Sequence, residues 1–209
     1  DKMANSKKMH RIPAAAIEAV LRPISDASGM PNEVYRDPEL FEIERDTILG
    51  QTWAGIAFTS ELPENGYAKP VDFMGLSLAI MRNHEGELHV FHNVCSHRGM
   101  TLIGEETEVV GSIRCPYHSW TYDLNGKLRG TPHIGGVGVH TVEGFVCEKH
   151  GLKPVRSEVW MGMIFVNLSG QAACFASYIA PLIQRWHAFL GEDGLENLHV
   201  PVEGSRLNL

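Results

Sequence analysis

"NVCSHRGM" (93–100) and "RCPYHSW" (114–120) decide how this chain is read. Each sets a histidine just after a cysteine. Cys95 stands two positions before His97 and Cys115 three positions before His118, with seventeen residues between the halves. Four cysteines in 209 residues are too sparse for a disulfide scaffold. Cysteine and histidine paired at short range in a reducing compartment point instead to metal. Three readings are open. The four residues can be ordinary, two exposed histidines and two buried cysteines. They can hold a tetrahedral zinc ion, although zinc fingers set their cysteines together and their histidines together, whereas here each half mixes them. Or they can hold a two-iron centre with mixed ligands.

The surroundings place both halves on loops leaving strands. "GLSLAIMRN" alternates, "HEGE" turns and "LHVFHNV" runs back, a hairpin pattern that delivers Cys95. Strands are predicted at "WAGIAF", "VVGSIRC", "SWTYD" and "GKLRG", with the turn "LNGK" between the last two. A further pair, "LKPVRSEVW" and "GMIFVNL", meets around Met161-Gly162. Short strands with frequent turns suggest an antiparallel sandwich or barrel. Before Trp53 the texture is helical. "PAAAIEAVLRP" (13–23) lies between prolines, and "RDPELFEIERDTILGQ" begins with Asp37 as N-cap and Pro38 at the first helical position, with Gly50 as the stop. Past Gly170, "FASYIAPLIQRWHAFLG" steps Ile179, Leu182, Ile183, Trp186 and Leu190 at helical spacing, a core-packing stripe; Pro181 either kinks this helix or marks its start. "PVEGSRLNL" (201–209) reads as a first strand.

A formal net charge of -7 with no basic block speaks against nucleic acid or an anionic membrane as partner. No apolar run reaches the length of a membrane span, and no secretory signal is visible, so the expected location is the cytoplasm.

With its flanks, the pattern C-x-H…C-x2-H resembles the Rieske [2Fe–2S] signature. The helical "DPELFEIERDTILGQTW", the hairpin "RNHEGELHVFHNVCSHRG" and the loop "RCPYHSWTYDLNGKLRG" resemble the Rieske domain of ring-hydroxylating oxygenase large subunits and of related quaternary-amine oxygenases. The resemblance implies a mainly β fold, an antiparallel Rieske-type β-sandwich with cluster-binding loops, flanked by N-terminal and C-terminal helices. Residues 1–52 are then a helical N-terminal segment, 53–170 the Rieske domain, and 171–209 a helix and the start of a catalytic domain. Cys95 and Cys115 would hold one iron and His97 and His118 the other. Arg98, Tyr117, Trp120 and Tyr122 would line the cluster, with Tyr122 matching the tyrosine that donates toward a ligand cysteine. Pro116, Tyr117 and Trp120 would hold the two loops by packing, and Arg98 would pair with an acid.

Met100 and Tyr117 stand where respiratory Rieske proteins have a bridging cysteine pair, and Trp120 where they have a sulfide-donating serine. Both differences imply a low-potential, oxygenase-type cluster. Ser119 replaces the usual glycine. In the oxygenases electrons go on to a mononuclear iron held by two histidines and a carboxylate. Only Glu196-x2-His199 resembles part of that motif, so the iron is expected in a C-terminal domain that this chain lacks, and no substrate oxidation is expected of the chain alone. His133, His140, His150 and His187 are expected at the surface, and Cys147 and Cys174 as buried small hydrophobes. The implied donor is an NAD(P)H-dependent reductase or ferredoxin. The implied acceptor is the protein's own catalytic domain or a neighbouring subunit, with a homo-oligomer, a trimer, as the implied assembly. The alternatives are a free-standing Rieske ferredoxin and a zinc-stabilised interaction module.

Overall fold

The structure, a computed structural model, describes residues 12–191 and Gly194. Glu196, His199 and the expected strand at 201–209 lie outside the described residues. The chain divides between Thr52 and Trp53 into two compact units.

The described part of the first unit is helical. α1 is Ala14–Val20, α2 is Asn32–Arg36, and α3 is Pro38–Glu44. Asp37 caps α3 by accepting a hydrogen bond from the Glu39 amide at 2.9 Å, with Pro38 at the first position. α3 runs on into a wider π-helical turn, Arg45–Leu49. It stops at Gly50, where a Cβ would lie 2.9 Å from the Arg45 carbonyl oxygen.

The second unit is an antiparallel β-sandwich. Its strands are β1 Ala54–Phe58, β2 Tyr67–Phe73, β3 Leu76–Arg82, β4 Leu88–His92, β5 Thr107–Glu108, β6 Ile113–Arg114, β7 Thr121–Tyr122, β8 Leu128–Gly130, β9 Arg156–Trp160 and β10 Met163–Asn167. They form three sheets of order β1-β10-β9, β4-β3-β2-β5 and β6-β7-β8. β3 is the hinge of the packing because both of its faces are buried. Leu78 and Ile80 point into a core shared with Val90, Ile164 and Val166. Ala79 and Met81 point the other way, into a core shared with Cys95, Cys115, Trp120 and Tyr122. Successive strand side chains alternate between faces, so the single apolar run "LSLAIM" serves both cores. Two-residue turns with positive φ at Met74-Gly75 and Met161-Gly162 close the β2–β3 and β9–β10 hairpins.

Some expectations are corrected. The strand Tyr67–Phe73 was not predicted, since Lys69, Pro70 and Asp72 break its alternation. The expected strands over 109–115 and 119–123 shrink to Ile113–Arg114 and Thr121–Tyr122, because the residues beside them are spent on loops. Helix α4, Phe175–Leu190, carries Pro181 in its interior rather than at its start. Of the expected stripe, Ile179 packs with Trp53 and Phe175, and Ile183 joins them, but Leu182 and Leu190 are exposed. Cys174, the residue before α4, is exposed, with its Sγ 3.0 Å from Ser177 Oγ, and Cys147 is only half-buried. His150 and His187 are half-buried rather than on the surface, whereas His133 and His140 are exposed.

Candidate metal centre

β4 and β6 each release a loop that begins with a cysteine, and the two loops fold alike. In the first, the Cys95 amide donates to the Met100 carbonyl at 2.8 Å and the Gly99 amide donates to the Cys95 carbonyl at 2.9 Å. In the second, the Cys115 amide donates to the Trp120 carbonyl at 2.8 Å and the Ser119 amide donates to the Cys115 carbonyl at 3.0 Å. The pattern therefore repeats from position one to six in 95–100 and 115–120. Its fifth residue is left-handed in both, Gly99 at φ 69° and Ser119 at φ 59°. Ser119 thus occupies a conformation that glycine takes freely.

Cys95 and Cys115 are buried, at 3% and 2% exposure. His97 and His118 lie further out and face each other, ring centroids 4.7 Å apart at 70°. The buried Nδ1 of His118 has no hydrogen-bond partner. A buried nitrogen left so costs about 1–3 kcal/mol unless another group takes it. Burial, then His118 and Arg98, lower the His97 pKa from its usual value.

Trp120 is buried and stacks on His97 across the loops, centroids 4.7 Å apart and planes 9° apart, with Phe145 and His150 against its edge. Tyr122 Oη lies 3.2 Å from Cys95 Sγ and accepts from the Ser96 amide at 3.1 Å. Its O–H remains available to donate to the sulfur when Cys95 is a thiolate. Burial and Cys95 push the hydroxyl well above the usual phenol range, so it remains a donor.

The other predicted positions fare differently. Tyr117 is 56% exposed, with its ring 3.8 Å from that of His118, and Pro116 is exposed too. Trp120 reaches across to the other loop, where it stacks on His97. Arg98 lines the cleft beside the histidines but has no ion-pair partner among the described residues. Asn93 escaped the sequence reading. It is 1% exposed, accepts from the Ile103 amide at 2.9 Å and donates to the Ile103 carbonyl at 2.7 Å, so it anchors the far end of the first loop. Its signal was a polar residue closing an apolar strand two positions before Cys95.

Among the described residues, no three histidine, cysteine or acidic side chains converge as the ligands of one ion. The two loops carry two buried cysteines and, further out, two histidines, the donor types that a two-iron cluster with mixed ligands takes.

The family model for the Rieske [2Fe-2S] domain matches residues 52–143. The chain contains a Rieske [2Fe-2S] domain. It is 32% identical over 195 residues to the glycine betaine monooxygenase oxygenase subunit of Chromohalobacter salexigens, covering 92% of this chain and 42% of that protein. It is 31% identical over 147 residues to the carnitine monooxygenase oxygenase subunit of Escherichia coli K12, covering 70% and 38%. The crystal structure of a quaternary ammonium Rieske monooxygenase with L-carnitine aligns at a TM-score of 0.67 and 28% identity, over 79% of this chain and 46% of that one. The chain spans less than half the length of these relatives. A Rieske domain carries a [2Fe-2S] cluster, and the paired loops fit one.

Proposed function

We propose that this chain transfers single electrons as the electron-entry part of a Rieske non-haem iron oxygenase. The observation that carries this is the pair of matching loops, with buried cysteines at their first positions and two facing imidazoles, one of them with an unpartnered nitrogen. When bound, the cluster supplies a one-electron couple whose potential histidine ligation raises above that of an all-cysteine cluster. Cys95 and Cys115 would hold one iron as thiolates, and His97 and His118 would hold the other. Trp120, backed by Phe145, covers one face of the His97 ring. Tyr122 donates to Cys95 and offsets charge on its sulfur. Arg98 and Tyr117 stand at the rim of a cleft of ≈ 520 Å³ beside both histidines, where an acceptor can approach.

Residues 53–170 form the unit that folds around the cluster, with 1–52 as its helical leader and 171–209 leading toward a catalytic domain. The donor is an NAD(P)H-dependent reductase or ferredoxin. The acceptor is a mononuclear iron in the protein's own catalytic domain or in a neighbouring subunit of a cytoplasmic trimer. Similarity to glycine betaine and carnitine monooxygenase oxygenase subunits supports a small quaternary amine as the substrate that the whole enzyme hydroxylates or demethylates.

The test is to purify the chain with its cluster and measure iron, acid-labile sulfide and visible absorption. Two irons and two sulfides per chain are expected. Cys95→Ser and His118→Ala should lose both colour and iron, while Cys147→Ser and Cys174→Ser keep them. A colourless protein carrying zinc, or equal iron loss in Cys147→Ser, contradicts the assignment.

A further inference from the structure

The cluster loops are reached by a second pocket that shares no lining residue with the histidine cleft. It measures ≈ 500 Å³ and is lined by His92, Cys95, Ser96, Lys149, His150 and Lys153, among others. Cys95 is among its lining residues, so a molecule seated there meets a residue that would hold the cluster. The wall is built rather than incidental: the Ser96 hydroxyl donates to the Gly151 carbonyl at 2.7 Å, and the His92 amide donates to the Lys153 carbonyl at 3.0 Å. These bonds fasten the lysine-bearing segment 149–153 to the first cluster loop.

The pocket's charge is opposite to that of the chain. The whole sequence carries -7, which repels an acidic partner at long range. Lys149 and Lys153 are both exposed, and neither has an ion-pair partner among the described residues. The Lys153 charge is felt at His92, whose imidazole is held below its usual range by burial and by that lysine. Lys127 and Arg129 line the adjoining hollow, where Glu148 is the acidic member and Arg129 is paired with Asp123. Two unpaired lysines at the sulfur side of the site make a local positive face on an acidic molecule.

We propose that the Lys149–Lys153 face is the docking surface for an acidic redox protein that delivers electrons from the cysteine side, leaving the histidine cleft to the acceptor. This rests on the electron-transfer reading above. Each encounter moves one electron: the donor protein's own iron–sulfur or flavin centre is oxidised, the cluster is reduced, and no bond is made or broken. Separate entry and exit faces let donor and acceptor bind without competing for His97 and His118.

The probe is an acidic plant-type [2Fe–2S] ferredoxin, used with the cluster-loaded chain. Its affinity is measured by titration calorimetry, its contact by zero-length carbodiimide crosslinking and peptide mapping, and its electron delivery by stopped-flow absorbance. At low ionic strength, crosslinks should map to Lys149 or Lys153. The double variant Lys149→Glu/Lys153→Glu should bind and be reduced about tenfold more weakly and slowly, with the difference shrinking as salt is added. Its reduction by dithionite should be unchanged. Arg185→Glu, which removes the same kind of charge on α4, should have little effect.

Unchanged affinity in the double variant, or an equal loss with Arg185→Glu, overturns the proposal. A loss caused instead by Arg114→Glu assigns the donor to the histidine cleft and also overturns it. So does a low-salt dimer of this chain that the lysine reversal abolishes, which would give the face to a second copy. Crosslinking and affinity need no cluster. A chain without iron would therefore contradict the function proposed above while leaving this surface testable.

Discussion

Tyr122 Oη stands 3.2 Å from Cys95 Sγ and at the same time accepts from the Ser96 amide. The hydroxyl therefore ties β7 to the first cluster loop and aims its proton at a sulfur. A donor to a thiolate stabilises the more negative, reduced state more than the oxidised one. Tyr122→Phe should lower the midpoint potential. A difference of about 1 kcal/mol in hydrogen-bond strength between the two states is about 40 mV for one electron. The parent itself should titrate low in the Rieske range, on the order of -150 to 0 mV, because Trp120 replaces a sulfide-donating serine. Voltammetry of both proteins checks this. A parent midpoint above about +200 mV belongs at the upper end of the Rieske range and would rule out the oxygenase setting.

Trp120 packs its face on His97 and its edge on Phe145 and His150. Trp120→Ala should cost about 3–5 kcal/mol as a large-to-small core change. Trp120→Phe keeps a ring in place and should fold. Its cluster should bleach faster in air than the parent's, because the smaller ring covers less of the His97 face that Trp120 stacks on. Equal bleaching rates, followed at the visible absorbance, would remove the shielding role.

Ser119 sits at φ 59°, where a side chain with a branched β-carbon is strained. Ser119→Gly should lie within about 1 kcal/mol of the parent in denaturant melts, since relieved strain and added chain entropy oppose each other. Ser119→Val should lose about 1–3 kcal/mol. Similar stabilities for the two variants would mean that the loop adjusts its backbone.

The sequence carried the site better than it carried the fold. Cys95, His97, Cys115 and His118 were legible because their spacing is itself the chemistry, and the loop contacts follow from them. The strand Tyr67–Phe73 was hidden because Pro70 argues against a central strand. Its partner β5 runs beside only Tyr67 and Ala68, so Pro70 breaks no ladder on that side among the described residues. The two roles of β3 were hidden for a related reason, since an apolar run on two buried faces loses its period. Cys174 was misplaced because composition cannot tell a buried small hydrophobe from a residue at a helix entrance. Asn93 was missed because a buried amide shows itself only through the partners that satisfy it.

His92 gives a pH signature. Burial, and then the Lys153 charge, lower its affinity for a proton in the folded state. The unfolded chain then binds that proton more readily, so the stabilisation is fully present above about pH 6.5 and is lost as pH falls through the folded value. His92→Gln should flatten the acid limb of melting temperature against pH between about pH 7 and 5. Identical slopes would mean that His92 does not titrate in this window.

The central claim is that two imidazoles and two thiolates divide a two-iron cluster between them, and pulsed EPR of the dithionite-reduced protein tests it most directly. Two distinct histidine-nitrogen couplings to the cluster spin are expected in the parent, and no Rieske signal in His118→Ala. A reduced parent that is EPR-silent, or one whose signal carries no nitrogen coupling, would contradict the assignment of His97 and His118 as ligands.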